Sequence, residues 1–260
     1  LLFQHHKFTV EENTPIDEEI ALDPTLLGMA FEELLAYYNP ETNAAAKKQT
    51  GSFYTPPDIA DFMVNQSLRV YLESYMISKG GMNKADVDTG LDILLSYTEQ
   101  EHAFSKNETK LLVRAVDECK VIDPACGSGA FLMGTLQRMV YLLQKLDPQN
   151  EFWFDYMLES VPSHMKEEMR KKLGKENYTY QRKLGLIQKC IYGVDIQAIA
   201  IQIAKLRFFL TLLIEQDVRH GEANHGIKEL PNLEFKLVCA DSLLKLLPEE
   251  KKDDKSQTTL

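Results

Sequence analysis

Long hydrophobic runs are missing from this chain of 260 residues. The most apolar stretch, Phe208 to Ile214, is far shorter than the roughly 20 apolar residues that cross a bilayer as a helix. The charged residues Lys205 and Arg207 lie just before this stretch. No signal-peptide pattern is present either. These absences predict a protein of the cytoplasm without a membrane partner.

Cysteine is scarce and widely dispersed. The four cysteines, Cys119, Cys126, Cys190 and Cys239, form no Cys-x-x-Cys pair. Such spacing offers neither a zinc site nor a disulfide framework. We therefore expect no bound metal and a reducing compartment.

Basic residues are too few to form a strongly basic surface. The chain has 29 Lys and Arg against 39 Asp and Glu, a net charge of −10. Contacts to phosphates come mainly from clustered Lys and Arg. This balance argues against a strong, self-contained DNA-binding surface, so any grip on nucleic acid must be local or come from another part of a longer protein.

The chain divides into a helical first half and a second half in which strands and helices alternate. Apolar residues recur every three or four positions over 17–38, which is typical of a helical face, and Pro56-Pro57-Asp58 opens a helix over about 59–76. Because the chain begins without Met and ends in a polar run, we expect a fragment of a longer protein. The predicted units are a helical N-terminal segment (1–118), an α/β core (119–245) with a charged insert near 147–186, and a disordered tail (246–260).

A strand, a glycine turn and a helix open the second half. The apolar run 119–123 ends in Asp123, Gly127-Ser128-Gly129 follows, and a helix is predicted over 130–146. Two glycines let the backbone approach a ligand closely, and the helix behind them presents unpaired N–H groups. This turn is therefore the first candidate for a nucleotide-like ligand.

Two further predicted strands also end in an acid. Residues 190–194 lead to Asp195 and a long apolar helix over 198–215, and residues 233–239 lead to Asp241. Strands that alternate with helices predict a mostly parallel sheet that binds ligands at the carboxyl ends of its strands. Asp195 is placed to accept hydrogen bonds from ribose hydroxyls, and Asp241 to accept one from an adenine amino group.

The turn is a poor match to a dinucleotide-binding site. Leu132 stands where the third glycine of G-x-G-x-x-G belongs, and Asp123 would repel a pyrophosphate. The same carboxylate would attract a positively charged amino-acid group. These features favour S-adenosyl-L-methionine, an adenosine that carries a cationic amino acid, over NAD or FAD.

Five segments of the chain resemble the gamma-class DNA adenine-N6 methyltransferases, which include the fused type IIG restriction–modification proteins. Asp123 to Leu132 (DPACGSGAFL) looks like their motif I, and Gly51 to Pro56 (GSFYTP) looks like their motif X. Tyr192 to Ile196 is similar to motif II, Cys239 to Leu243 to motif III, and Leu22 to Leu35 to the helical segment before motif X. The resemblance implies a Rossmann-like class I S-adenosylmethionine-dependent methyltransferase core with a helical N-terminal segment.

The resemblance also implies roles for individual residues. Tyr54 and Thr55 would contact the methionine carboxylate, and Asp195 would bind the ribose. Ile196 would pack on the adenine ring, and Asp241 would accept from its amino group. The amino-acid end of the cofactor would be held by the Asp123 carboxylate and the backbone of the turn, at Ala125, Cys126, Gly127 and Gly129.

The catalytic motif of that family is absent. Asn-Pro-Pro followed by an aromatic residue is expected shortly after motif III, whereas the only Asn-Pro here is Asn39-Pro40, followed by Glu41. We therefore assign no catalytic residue and expect this chain to bind cofactor without methylating DNA. The parent protein would act on double-stranded DNA, with target-recognition regions and a fused nuclease as candidate further parts.

Two alternatives remain open. The chain could belong to an S-adenosylmethionine-dependent methyltransferase that acts on RNA or on protein. It could also be a non-catalytic module that binds the cofactor and contacts a separate specificity protein. The segment that looks like motif X favours DNA adenine.

Overall fold

The computed structural model describes residues 55–98, 100–159, 161–167, 177–216, 221, 224, 227, 229 and 231–244. Within these ranges the fold is mixed α/β, with three parallel strands and helices packed beside them. The predicted helix in 17–38, the residue Tyr54 and the tail 246–260 lie outside the described residues. The elements are α1 (Pro57–Gly80), α2 (Lys84–Leu95), α3 (Lys106–Glu118), β1 (Val121–Asp123), α4 (Ala130–Leu146), α5 (Glu151–Met157), α6 (Tyr178–Lys189), β2 (Ile191–Asp195), α7 (Ala198–Leu213) and β3 (Leu237–Cys239).

Local sequence signals set the helix ends. α1 starts with Pro57, whose missing N–H costs nothing in a first turn, and it ends at Gly81 in the left-handed conformation (φ 65°). The Asn83 side chain accepts the N–H of Asp86 to begin α2. α3 begins at a capping box, in which the Ser105 and Glu108 side chains each accept the other residue's N–H.

The sheet runs in the order β1-β2-β3, and every pair is parallel. Asp123 lies opposite Gly193, which lies opposite Leu237 on the other side. Each strand lies beside the one before it in sequence, as in one half of a doubly wound sheet. The small parallel sheet that the sequence predicted is confirmed; the class I methyltransferase assignment stays a prediction.

One hydrophobic core connects the N-terminal helices to the sheet. Val64 of α1, Leu91 of α2, Leu112 of α3, Leu136 of α4 and Phe208 of α7 all belong to the same buried cluster. α1 packs against α2, α3 and α4, and α7 packs against β2, β3 and α6. The helices before β1 therefore hold α4, which follows the glycine turn, in place.

The region predicted as a charged insert contributes to this core at both of its ends. Trp153 is 1% exposed, and its Nε1 donates to Asp117 Oδ1 at 2.9 Å. Buried Arg182 donates to Asn150 Oδ1 at 2.6 Å and to the Asp147 carbonyl at 2.7 Å. The charged composition of the segment hid these buried contacts.

The predicted third strand begins later than the sequence suggested. Residues 234–236 form a turn, in which Lys236 and Leu237 both donate their N–H groups to the Leu233 carbonyl, at 3.0 Å. The strand is therefore Leu237–Cys239 and not 233–239. Leu233 is buried all the same, so its apolar character reports packing and not strand structure. None of the described helices has the length and apolar character that crossing a bilayer requires.

Gly193 is required by close packing in the middle of the sheet. A Cβ atom there would lie 2.7 Å from Leu132 Cδ1 and 2.9 Å from both Cys126 Sγ and Leu237 Cδ2. These side chains come from α4, from the glycine turn and from β3. A single methyl group would therefore push three elements apart.

We expect Gly193→Ala to lower the free energy of unfolding by about 1–3 kcal/mol, because overpacking forces its neighbours to move. Gly134→Ala in α4 is the matched control, since its Cβ would meet only Val64 Cγ2 at 3.7 Å, an ordinary contact. That variant should gain about 0.5–1 kcal/mol, because alanine favours helix over glycine. Urea unfolding of both variants measures the contrast, and equal stability of the two would contradict it.

Candidate cofactor-binding site

Three acids lie at or just beyond the carboxyl ends of the strands. Asp123 and Asp195 are the last residues of the neighbouring strands β1 and β2. Ala240 donates its N–H to the Asp195 carbonyl at 2.9 Å, which ties the end of β3 to the end of β2 and places Asp241 one residue further on. The structure therefore brings together the strand ends that the sequence selected.

The glycine turn between β1 and α4 is joined to β2. The Cys126 N–H donates to the Val194 carbonyl at 2.9 Å, and the Gly129 N–H donates back to the Cys126 carbonyl at 2.8 Å. Gly127 (φ +52°) and Gly129 (φ +87°) adopt the left-handed conformation, which other residues rarely tolerate. Both glycines are thus required by backbone geometry.

The two glycines face different surroundings. A Cβ atom at Gly127 would meet no described heavy atom within 4 Å, so the backbone there is open to a ligand. A Cβ atom at Gly129 would lie 3.3 Å from the Ala204 Cβ of α7. The turn is therefore packed on its α7 side and accessible at Gly127.

Asp195 holds the turn through its side chain. Its Oδ2 accepts the Gly127 N–H at 2.8 Å, and its Oδ1 accepts the Gln197 N–H at 2.8 Å. The sequence predicted an acceptor for ribose hydroxyls and gave no hint of these backbone contacts. An ionised carboxylate has about four lone-pair positions, so capacity for two more donors remains.

The Asp123 carboxylate lies beside the same turn. Its Oδ1 accepts the Ala125 N–H at 3.1 Å. Burial raises the pKa of Asp123 above its usual range, the negative charge of Asp195 raises it further, and the Ala125 N–H opposes this rise. Two partly desolvated carboxylates next to each other favour a cation and disfavour a phosphate.

Cys126 has the character of a packing residue. Its side chain is buried, and burial, reinforced by the charges of Asp123 and Asp195, raises the pKa of its thiol to about 12. A thiol that stays protonated at neutral pH is a poor nucleophile. Its sulfur fills the space beside Gly193.

The remaining predicted site residues lie around this edge or outside the described residues. Ile196 is 68% exposed, directly after Asp195. Asp241 is exposed, and its Oδ1 accepts the Leu243 N–H at 2.9 Å. Thr55 is partly buried just before α1, whereas Tyr54 is not among the described residues.

Sequence reasoning missed a buried cation behind the turn. Arg207 of α7 donates from Nη1 to the Ser128 carbonyl at 3.0 Å and to Ser128 Oγ at 3.2 Å. Both residues are 3% exposed. The signal in the sequence was a basic residue within a mostly apolar helix, a position where a charge survives only with buried partners.

A separate cavity of about 430 Å³ lies between α1 and the end of α2. Several of its polar groups pair within the protein: Arg69 bridges Asp88 and Asp92, and the Tyr97 hydroxyl donates to Asp61 Oδ1 at 2.6 Å. These pairings use groups that a ligand would otherwise contact. The glycine turn is therefore the stronger candidate site.

The chain is similar to one curated protein over nearly its whole length. It is 29% identical over 252 residues, 96% of the chain, to a protein of Methanocaldococcus jannaschii named "Putative type II restriction enzyme and methyltransferase". The chain spans 19% of the length of that relative. No protein-family model matches the chain. No solved structure matches it either.

Proposed function

We propose that this chain is the S-adenosylmethionine-binding portion of a site-specific DNA adenine-N6 methyltransferase within a restriction–modification protein. The observation that carries the proposal is the glycine turn, joined by the Gly127 N–H to the Asp195 carboxylate at the carboxyl edge of a parallel sheet. Ligands of α/β sheets bind at this edge.

Charge selects the class of cofactor. The negative charge of Asp195 adds to the effect of burial in raising the pKa of Asp123. A cationic amino-acid end would relieve this repulsion, and a pyrophosphate would increase it. S-adenosylmethionine carries such an end, with an ammonium group and a sulfonium next to an adenosine.

Packing also disfavours a dinucleotide. Leu132, in the position of the third glycine of the dinucleotide motif, is fully buried in α4 and would lie 2.7 Å from a Cβ on Gly193. In a dinucleotide fold, glycine at this position allows close helix–strand packing. Here the close approach is provided from the strand side, by Gly193.

The adenosine would lie along the ends of β2 and β3. Asp195 has acceptor capacity left for ribose hydroxyls, and the exposed Ile196 offers an apolar face to the adenine ring. Asp241 would accept from the adenine amino group, as the resemblance implies. The open backbone at Gly127 and the Asp123 carboxylate would hold the amino-acid end, with Tyr54 and Thr55 at the methionine carboxylate.

Bound S-adenosylmethionine supplies a methyl group on a positively charged sulfur. The residues of this chain would orient that group, by fixing the cofactor at the ribose and at its amino-acid end. Orientation and charge placement are the main contributions that a protein makes to such a transfer. The target amine must be held by other residues, because the chain has no Asn-Pro-Pro-aromatic segment.

The choice of DNA adenine as the target is supported by two observations. Gly51 to Pro56, before motif I, looks like motif X of the adenine-N6 enzymes. The Methanocaldococcus jannaschii relative is named as a restriction enzyme and methyltransferase, and this chain aligns with a fifth of it. Target recognition and DNA cleavage would belong to other parts of such a protein.

We expect the folded chain to bind S-adenosylmethionine with one-to-one stoichiometry, and Asp195→Ala to weaken binding by about 10- to 100-fold. The variant removes a charged acceptor for two hydroxyls and releases the Gly127 N–H. Titration calorimetry gives the dissociation constants. Glu101→Ala, in the loop between α2 and α3, is the control that removes one carboxylate elsewhere and should bind like the parent chain. Saturable binding that Asp195→Ala leaves unchanged would exclude the proposed role of Asp195.

Cofactor affinity should depend on pH through Asp123. Its carboxyl group attracts a cation only when ionised, and its pKa is raised. Affinity should therefore fall by up to about tenfold per pH unit once the pH drops below that pKa, and it should also fall above about pH 8, where the ammonium group of the cofactor loses its proton. Calorimetry from about pH 7 down to the lowest pH at which the chain stays folded should show this fall in the parent chain, and the fall should be absent in Asp123→Asn. The same slope in both proteins would assign the titration to another group.

The chain alone should not transfer the methyl group. With duplex DNA and S-adenosylmethionine, we expect no S-adenosylhomocysteine above background, because the chain has no Asn-Pro-Pro-aromatic segment to hold the target amine. A longer protein that contains this chain should methylate adenine in duplex DNA and leave RNA and protein unmodified. Mass spectrometry of the DNA, RNA and protein substrates separates the DNA proposal from its alternatives. Methyl transfer by the chain alone would contradict the proposal that it lacks the segment that holds the target amine.

A further inference from the structure

A buried arginine of α7 forms hydrogen bonds with the glycine turn on the side that faces α7. Arg207 reaches from α7 to the Ser128 carbonyl at 3.0 Å and to Ser128 Oγ at 3.2 Å. Both residues are 3% exposed, so the contact is shielded from water. A hydrogen bond from a charged donor in such surroundings is stronger than one on the surface.

The unit formed by β2 and α7 contacts four successive residues of the turn. From β2, the Val194 carbonyl accepts from Cys126, and the Asp195 carboxylate accepts from Gly127. From α7, Arg207 holds Ser128, and Ala204 packs against Gly129. The shape of the turn is therefore set largely by a segment about 70–80 residues later in the sequence.

The grip on Ser128 also fixes the next residue. The peptide group that joins Ser128 to Gly129 is planar, so fixing the Ser128 oxygen restricts the direction of the Gly129 N–H. That N–H donates to the Cys126 carbonyl at 2.8 Å and closes the turn. Without the arginine, this peptide group would keep the Gly129 hydrogen bond but lose the hold on its oxygen, next to a glycine, which restricts the backbone least.

We propose that Arg207 is a positioning residue of the cofactor site: it holds the glycine turn in its ligand-binding shape and thereby sets cofactor affinity without touching the cofactor. The proposal rests on the proposed function in one respect, the identity of the ligand as S-adenosylmethionine. The hold on the turn itself does not depend on any ligand.

The test compares two buried basic residues of α7, Arg207 and Lys205. Arg207→Met keeps the bulk of the side chain and removes its donors. Lys205→Met is the matched control, since Lys205 is also buried but pairs with Glu234, ahead of β3, at 2.8 Å. Thermal unfolding of both variants measures what each residue contributes to the fold as a whole.

The specific readout is amide hydrogen exchange at Gly127 and Gly129, followed by NMR without ligand. We expect Arg207→Met to accelerate exchange at these two amides relative to Lys205→Met, and to weaken S-adenosylmethionine binding by at least about tenfold, as the loss of charge-assisted hydrogen bonds implies. Lys205→Met should leave both quantities close to those of the parent chain. A purely structural role would lower the melting temperature without this local effect.

Arg207→Lys is a second variant, which keeps the test valid if Arg207→Met fails to fold. A lysine keeps the charge but donates from a single point without the planar fork, so both quantities should lie between those of the parent chain and Arg207→Met. Unchanged turn amides in folded Arg207→Lys and Arg207→Met would overturn the proposal, and so would altered amides with unchanged affinity. If the parent chain bound no S-adenosylmethionine, the proposed function would fail, whereas the exchange data would still decide whether Arg207 holds the turn.

Discussion

The hydrogen bond between the Gly127 N–H and the Asp195 carboxylate joins the two parts of the site. Gly127 lies in the turn after β1, and Asp195 is the last residue of β2, 68 residues later. The contact forms only when the two strands are paired in the observed register, with Asp123 opposite Gly193. Sheet pairing and turn shape therefore depend on each other, and the candidate site exists only in the assembled fold.

The same carboxylate lies beside a second one. Asp195 and Asp123 are both partly withdrawn from water, and burial together with the charge of Asp195 raises the pKa of Asp123. A cation bound beside them would lessen this repulsion, and a phosphate group would increase it. The arrangement therefore supports the proposal of a ligand with a positively charged end.

The packing behind the turn explains why this arrangement can persist. Gly193 lets Leu132 and Cys126 approach β2 from one side, and Arg207 anchors Ser128 from α7. The helices before β1 add to this support, because α1 packs directly on α4. A loop rich in glycine would otherwise be mobile, and here each of its residues from Cys126 to Gly129 has a contact in the β2–α7 unit.

The sequence by itself determined the order of the elements and the residues at the strand ends. Apolar runs that end in Asp123 and Asp195 located two strands, and Gly127-Ser128-Gly129 located the turn, because these signals are local and depend on neighbouring residues. Periodicity also gave α4 its observed bounds, Ala130–Leu146. The third strand was predicted too long, since the buried Leu233 has the apolar character of a strand residue but lies just before a turn.

Only the tertiary structure decided how the site is held together. The bonds from Asp195 to Gly127 and from Arg207 to Ser128 connect residues 68 and 79 positions apart, and no local pattern encodes such a pairing. The close contact at Gly193 likewise depends on side chains from three separate elements. Local signals determine which helices and strands form. The partners of a buried charge, and the side chains that crowd a glycine, are set by packing between segments distant in sequence.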